Sequence, residues 1–201
     1  MIEQLYATPI YNAIVKDYQV LNYHIDKVLD RVNFNHKDEW GATHYLSTDF
    51  AVGTTDNIIK ELGLHKVSKE IDNHLRKYIN ELNGDDRFHQ TTEMVDYDVR
   101  SWFSMFKKGN YAHIHHHGDA DISGVYYYRT NKKDGNLFFT SPNIHLETTR
   151  CYMRFGEVWE HHPEEGKIML FPGWLKHGVR TNTTEDTRIS LSFNIYFKHK
   201  R

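Results

Sequence analysis

Cysteine occurs once, at Cys151, so the chain can close no internal disulfide and cannot build a zinc site from thiolates. Such usage suits a reducing compartment. Long apolar runs are missing too: none approaches the ~20 residues that a membrane span needs. The opening MIEQLYATPIYNAIVKDYQ carries an early acid and no signal-peptide core. An intracellular protein of the cytoplasm is the expectation, with no membrane partner. Nor is there an excess of one charge. With 25 Lys and Arg against 27 Asp and Glu, the formal charge is −2, and no nucleic-acid partner is implied. The terminal KHKR is a short basic tail of the kind found solvated at chain ends. Glycine (12) and proline (4) are scarce while tyrosine (13) and phenylalanine (11) are not, which describes an ordered chain and not a linker.

Histidine is what the chain has in excess. There are 15 in 201 residues, and four lie in the internal run His113-Ile114-His115-His116-His117. The length fits one domain, residues 1–201. Apolar residues recur at helical spacing over 18–33 (Leu21, Ile25, Val28, Leu29, Val32) and again over 56–82 (Ile59, Leu64, Val67, Ile71, Leu75, Ile79). Asp56 is the candidate N-cap of the second helix, and Asn83-Gly84 its stop. Between them WGATHYLSTDF reads as a strand or an ordered loop. From residue 93 the texture changes to short β-type runs: EMVDYDVRSWFSMF, ISGVYYYR, NLFFT, RFGEVWEH, KIMLF, HGVRT and RISLSFNIYF. Many short strands without intervening helices indicate an antiparallel sandwich or barrel. The plan is a helical part, 1–92, packed outside a β core, 93–201.

The last strand carries a specific signal. Ile189, Leu191, Phe193, Ile195 and Phe197 alternate with Arg188, Ser190, Ser192, Asn194 and Tyr196, so period two separates an apolar face from a polar one. If the apolar face packs on the helices, the polar face looks into a wet cavity or at solvent. His115-x-His117 puts two imidazoles on one side of an extended chain. His177 follows about sixty residues later, after the strand and turn GKIMLFPGW. Three such nitrogens make a facial site with open positions, the geometry of non-haem Fe(II). His113 and His116 read as solvated loop residues, and Asp119 and Asp121 stand near as oxygen donors. TNTTED between His177 and Arg188 is a turn signal. A hairpin about it sets Val179 opposite Arg188 and His177 opposite Ser190. Arg188 then lies roughly 7–8 Å from the metal ligand on a diagonal, the reach of a five-carbon dicarboxylate. A guanidinium grips the far carboxylate bidentately, and Ser190 adds a hydrogen bond.

These residues resemble the 2-oxoglutarate/Fe(II) dioxygenase superfamily, and more narrowly its small members in marine bacteria and tailed phages. The resemblance is carried by QLYATPIY, SWFSMFKKGNYAHIHHH, ISGVYYY, GKIMLFPGWLKHGV and TRISLSFNIYF, in that order along nearly the whole chain. It implies a mainly β fold with flanking α, a double-stranded β-helix (a jelly-roll, cupin-like barrel). It also implies Fe(II) at His115 and His177, and 2-oxoglutarate on Arg188 with Ser190. The setting would be a bacterial or phage-infected cytoplasm. In prolyl hydroxylases a tyrosine follows the first ligands, and Tyr127 of SGVYYY matches that place. The expected activity is a hydroxylase that consumes O₂ and 2-oxoglutarate and oxidises a small-molecule or protein substrate. One departure stands out: the superfamily writes H-x-D where this chain has His115-x-His117. Either His117 replaces the carboxylate or Asp119 takes over. Trp102 and Trp174 are candidates for the entrance, with core packing as the other reading. A cupin is the rival, because Gly109-x5-His115-x-His117-x3-Asp121 and Gly166-x5-Pro172-x4-His177 approach its two motifs. It would have His115, His117, Asp121 and His177 as ligands and no 2-oxoglutarate. The third reading is a non-enzymatic, virion-associated binding module.

Overall fold

The computed structural model describes residues 7–36, 43–47, 56–84, 96–142 and 158–198. Strand β1 (Tyr11–Ile14) is followed by helix α1 (Tyr18–Asp26), a 3-10 turn (Leu29–Arg31) and two-residue strands β2 (Asn35–His36) and β3 (Tyr45–Leu46). Helices α2 (Ile58–Glu61) and α3 (His65–Asn83) come next. The remaining elements are strands β4 (Tyr97–Phe106), β5 (Ala112–His115), β6 (Ile122–Arg129), β7 (Leu137–Thr140), β8 (Val158–His161), β9 (Lys167–Pro172), β10 (His177–Val179) and β11 (Arg188–Phe197). The front part therefore supplies three strands as well as helices. The single helix expected over 56–82 is two, because Gly63 turns the chain with φ +67, a conformation that favours glycine. Asn57, not Asp56, caps the first, its side chain accepting from the Lys60 N–H.

Two sheets form among the described residues. The larger runs β1-β9-β6-β11-β4-β3-β2 and the smaller β5-β10-β7-β8. They face each other as the two walls of a double-stranded β-helix and do not close into a barrel. β11 lies at the centre of the large sheet and divides its side chains as the alternation predicts. Ile189, Leu191, Phe193 and Ile195 are buried in one core with Leu21 and Ile25 of α1 and Val67, Ile71, Leu75 and Ile79 of α3. The opposite face looks between the sheets. There Phe106, Val125, Tyr127, Leu137, Phe139, Met169, Phe171 and Val179 form a second core at one end.

The hairpin between His177 and Arg188 is not formed. β10 pairs with β5 and β7, whereas β11 pairs with β4 and β6, so the connection crosses from one sheet to the other. Asn182, wholly buried, is the cause. Its amide donates to the carbonyls of Phe106 and Asp186, and its backbone exchanges hydrogen bonds with Gly109 and Asn110. That knot ties the turn to the β4–β5 connection and sends Arg188 to the wall facing His177. Val179 pairs with Leu137 and Ala112, and Ser190 with Ser104 and Tyr127. The diagonal across neighbouring strands becomes a span across the sandwich, roughly 10 Å between sheets.

Candidate metal centre

A cavity of about 370 Å³ opens between the two sheets. Its walls include His115, His117 and His177 on one side and Arg188, Ser190 and Asn194 on the other. His115 and His177 are direct cross-strand partners on β5 and β10, which sets their rings 4.5 Å apart between centroids. His117 lies just beyond β5, held by its N–H to the Gly173 carbonyl at 2.9 Å. Gly173 cannot be replaced cheaply, because a Cβ there would stand 2.0 Å from the Ala120 carbonyl oxygen. One ligand nitrogen from each of the three rings lies within 4.8 Å of the others. Asp119 and Asp121 are outside this group. The Asp121 carboxylate accepts from the Phe197 N–H at 2.7 Å, so the four-ligand cupin arrangement does not form. His113 and His116 are exposed at the edge of the cavity, and His113 belongs to strand β5 where a loop was expected.

The chemistry of the three rings suits a metal. The Nδ1–H of His115 donates to the His113 carbonyl and that of His177 to the Leu175 carbonyl, both at 2.8 Å, which leaves each Nε2 lone pair free. All three are neutral near pH 7, as ligands must be. Burial lowers the His177 pKa well below its usual 6.5, with His115 and His117 adding repulsion. Burial likewise takes His117 down to about 3, and lowers His115. Three neutral imidazoles on one face, with room beside them, fit a divalent first-row metal such as Fe(II).

Across the cavity Arg188 is 1% exposed. One Nη donates to the Gly135 carbonyl at 2.7 Å, and the guanidinium lies 5.0 Å over the rings of both Phe106 and Tyr127. Its Nε and the Tyr127 hydroxyl are both buried without a hydrogen-bond partner. Two such donors around an uncompensated cation fit a carboxylate ligand. Burial raises the Tyr127 pKa, against the pull of Arg188, so the phenol keeps the proton it would donate. Ser190, 1% exposed, is the cross-strand partner of Tyr127 and shares the wall. Gly135 is itself constrained: its φ is +102, and a Cβ would meet the Arg180 carbonyl oxygen at 2.2 Å. Gly135→Ala should therefore move the turn that holds Arg188. A fall in stability of about 1–3 kcal/mol, read from denaturant midpoints, is the expected result.

His44 belongs to none of the sequence motifs above. It is buried and lines the cavity, and its ring stacks on Phe106 at 4.3 Å. A lone histidine in a short connecting segment gives no periodic signal, so only its packing singles it out. Burial takes its pKa down to about 4, with the Tyr111 carbonyl opposing and repulsion from His115, Arg188 and His36 assisting. Between pH 6.5 and 4 the unfolded chain therefore takes up a proton there that the folded protein refuses. Stability is full above 6.5 and falls as pH drops towards 4. At pH 5 His44 alone should cost about 2 kcal/mol relative to pH 7. Denaturant midpoints at the two pH values measure this, and His44→Phe should reduce the difference by about that amount, leaving the share of the other buried histidines. Trp102 is buried and lines the cavity, while Trp174 stands half-exposed.

The two facing sheets have the architecture of a double-stranded β-helix. Residues 100–194, which include every residue named above for metal or co-substrate, match the family described as "Putative 2OG-Fe(II) oxygenase". That match covers just under half of the chain, and with the fold it marks these residues as those of a 2-oxoglutarate/Fe(II) oxygenase, an oxidoreductase. Among solved structures it is similar to a prolyl-4-hydroxylase of Pseudomonas putida (13% identity, 96% of this chain, 94% of that one, TM-score 0.62). HygX of Streptomyces hygroscopicus, with nickel and 2-oxoglutarate bound, gives 13% identity, 95% and 84% coverage and a TM-score of 0.56. A prolyl hydroxylase of Trichoplax adhaerens, in complex with a hypoxia inducible factor peptide, gives 10%, 94%, 83% and 0.58. At these identities the likeness is one of fold. No curated protein matches in sequence.

Proposed function

We propose that His115, His117 and His177 hold Fe(II), that Arg188 with Ser190 and Tyr127 holds the distal carboxylate of 2-oxoglutarate, and that the enzyme hydroxylates a small-molecule or protein substrate. The observation that carries this is a buried guanidinium whose Nε has no hydrogen-bond partner, in the same cavity as three converging neutral imidazoles. The metal, when bound, supplies activation of O₂ coupled to oxidative decarboxylation of the co-substrate.

The protein's own contribution is placement. Carbonyls of residues 113 and 175 fix two rings with Nε2 turned to the cavity. Arg188, clamped between Phe106 and Tyr127 and anchored on Gly135, offers Nε to an anionic oxygen, and the Tyr127 hydroxyl offers a second donor. Arg188 and Ser190 on the cavity wall, with Tyr127 packed behind them, orient a dicarboxylate before any substrate arrives. The half-exposed Ile114 and Trp174 give the chain an apolar surface next to the ligand-bearing segments, compatible with either substrate class. No helix of the described residues is long and apolar enough to cross a membrane, and we place the activity in the cytoplasm. The test is succinate release by protein purified without a His-tag. Release should require both Fe(II) and 2-oxoglutarate and vanish on chelation or in His177→Ala. Release that survives chelation, or none under any condition, would sink the reading.

A further inference from the structure

His117 differs from its two companions in what holds it. His115 and His177 donate Nδ1–H to backbone carbonyls, which can only accept, so their proton position is settled by the fold. His117 Nδ1 instead meets the side-chain amide of Asn194 at 3.0 Å. Asn194 is 6% exposed and sits on the inward face of β11, six residues along from Arg188. Its Oδ1 accepts from the Ser123 hydroxyl at 2.8 Å, and Ser123, 2% exposed, is its direct cross-strand partner on β6. Gly124, next to Ser123, has no room for a Cβ, which would stand 2.3 Å from the Phe193 ring. The chain Ser123–Asn194–His117 is thus packed in place.

We propose that the Asn194 amide, backed by Ser123, is a positioning switch that sets the tautomer of His117 and so decides whether the third imidazole is open to a metal. This rests on the three-histidine reading above. With the amide N–H directed at Nδ1, the neutral ring carries its proton on Nε2, and that nitrogen has no lone pair for an ion. With the amide turned over, Oδ1 accepts from Nδ1–H and the Nε2 lone pair is free. Ser123 accommodates both settings, because a hydroxyl donates to Oδ1 in the first and accepts from the amide N–H in the second. Each setting keeps both hydrogen bonds, and the Tyr196 hydroxyl, which the Asn194 side chain also meets, can donate or accept in either. The ion selects the open one and its apparent affinity is reduced by the fraction of protein in the closed one. A carbonyl in place of Asn194 would have made a permanent ligand. An amide makes a conditional one.

Two substitutions separate the states. Asn194→Asp offers only acceptors to Nδ1–H, which locks the open tautomer. Asn194→Leu keeps the branching at Cγ and removes the hydrogen bond. Long-range proton–nitrogen NMR on the full-length, metal-free protein at neutral pH identifies the protonated nitrogen of His117, and Co(II) titration gives the affinity. We expect wild type to show a substantial Nε2–H population and Asn194→Asp to show Nδ1–H. Co(II) should bind the Asp variant about tenfold more tightly than wild type and the Leu variant about 10–100-fold more weakly. Should either variant misfold, the wild type alone decides: a metal-free His117 wholly in the Nδ1–H form overturns the proposal. So do Co(II) affinities within twofold across all three proteins. Failure of wild type to take up Co(II), while the tautomer still moves between wild type and Asn194→Asp, would instead overturn the three-histidine reading and the metal-gating role with it.

Discussion

Arg188→Met should make the ligand-free protein more stable while removing its response to 2-oxoglutarate. Arg188 is buried, and among the described residues no carboxylate pairs with it. The nearest buried acid in sequence, Asp134, is engaged by the Thr130 hydroxyl and the Asn131 N–H. Ring faces of Phe106 and Tyr127 and one carbonyl offset the cost of burying that cation only in part. Replacing a buried ionic group with an apolar side chain of similar volume is commonly stabilising by about 1–4 kcal/mol, and the same gain is expected here. Binding should move the other way. Truncating one side of a buried, hydrogen-bonded charge pair costs about 2–5 kcal/mol, some thirty- to several-thousandfold in affinity. Thermal melts with and without 2-oxoglutarate read both effects at once: the wild type melts lower alone and gains on addition, and Arg188→Met melts higher alone and gains nothing. Arg188→Lys, which keeps the charge but loses the planar fork, should fall between. A Met variant that 2-oxoglutarate stabilises as much as wild type would remove Arg188 from the binding site.

That prediction depends on a feature that the sequence displays without structure. Period-two alternation in RISLSFNIYF separates a face for the helices from a face for the cavity, and both faces are where the alternation puts them. His115-x-His117 and His177 also converge as their spacing implies. What local reasoning could not supply is the path between His177 and Arg188. A turn-rich hexapeptide between two strands favours a hairpin on propensity alone. The hydrogen bonds of Asn182 to Phe106, Gly109 and Asn110, over seventy residues away, override it and carry the chain to the other sheet. The same limit applies to Asn194, which the alternation places inward but whose partner, His117, is 77 residues distant. His44 has no sequence signal at all, since its stacking on Phe106 exists only once β3 and β4 have paired.

The histidine at position 117 is where this chain parts from the superfamily's carboxylate, and its substitution should have the second large effect. On the three-histidine reading proposed above, His117→Ala removes one of three ligands and should weaken metal binding by more than the 10–100-fold typical of losing an outer partner. His117→Asp should restore it. The Asn194 amide N–H already points at this position and would donate to a carboxylate as readily as to Nδ1. The two ligand sets should nonetheless differ in which metal they hold. Three imidazoles form a neutral, borderline set for which affinity rises through Co(II) and Ni(II) to Cu(II), whereas an added carboxylate favours harder ions such as Fe(II) and Mn(II). Wild type should therefore lose Fe(II)-dependent turnover to low concentrations of added Ni(II) or Zn(II), and His117→Asp should resist them. If His117→Ala binds metal as wild type does, the third ligand is not this imidazole. Asp119, exposed two residues along, is then the group to test.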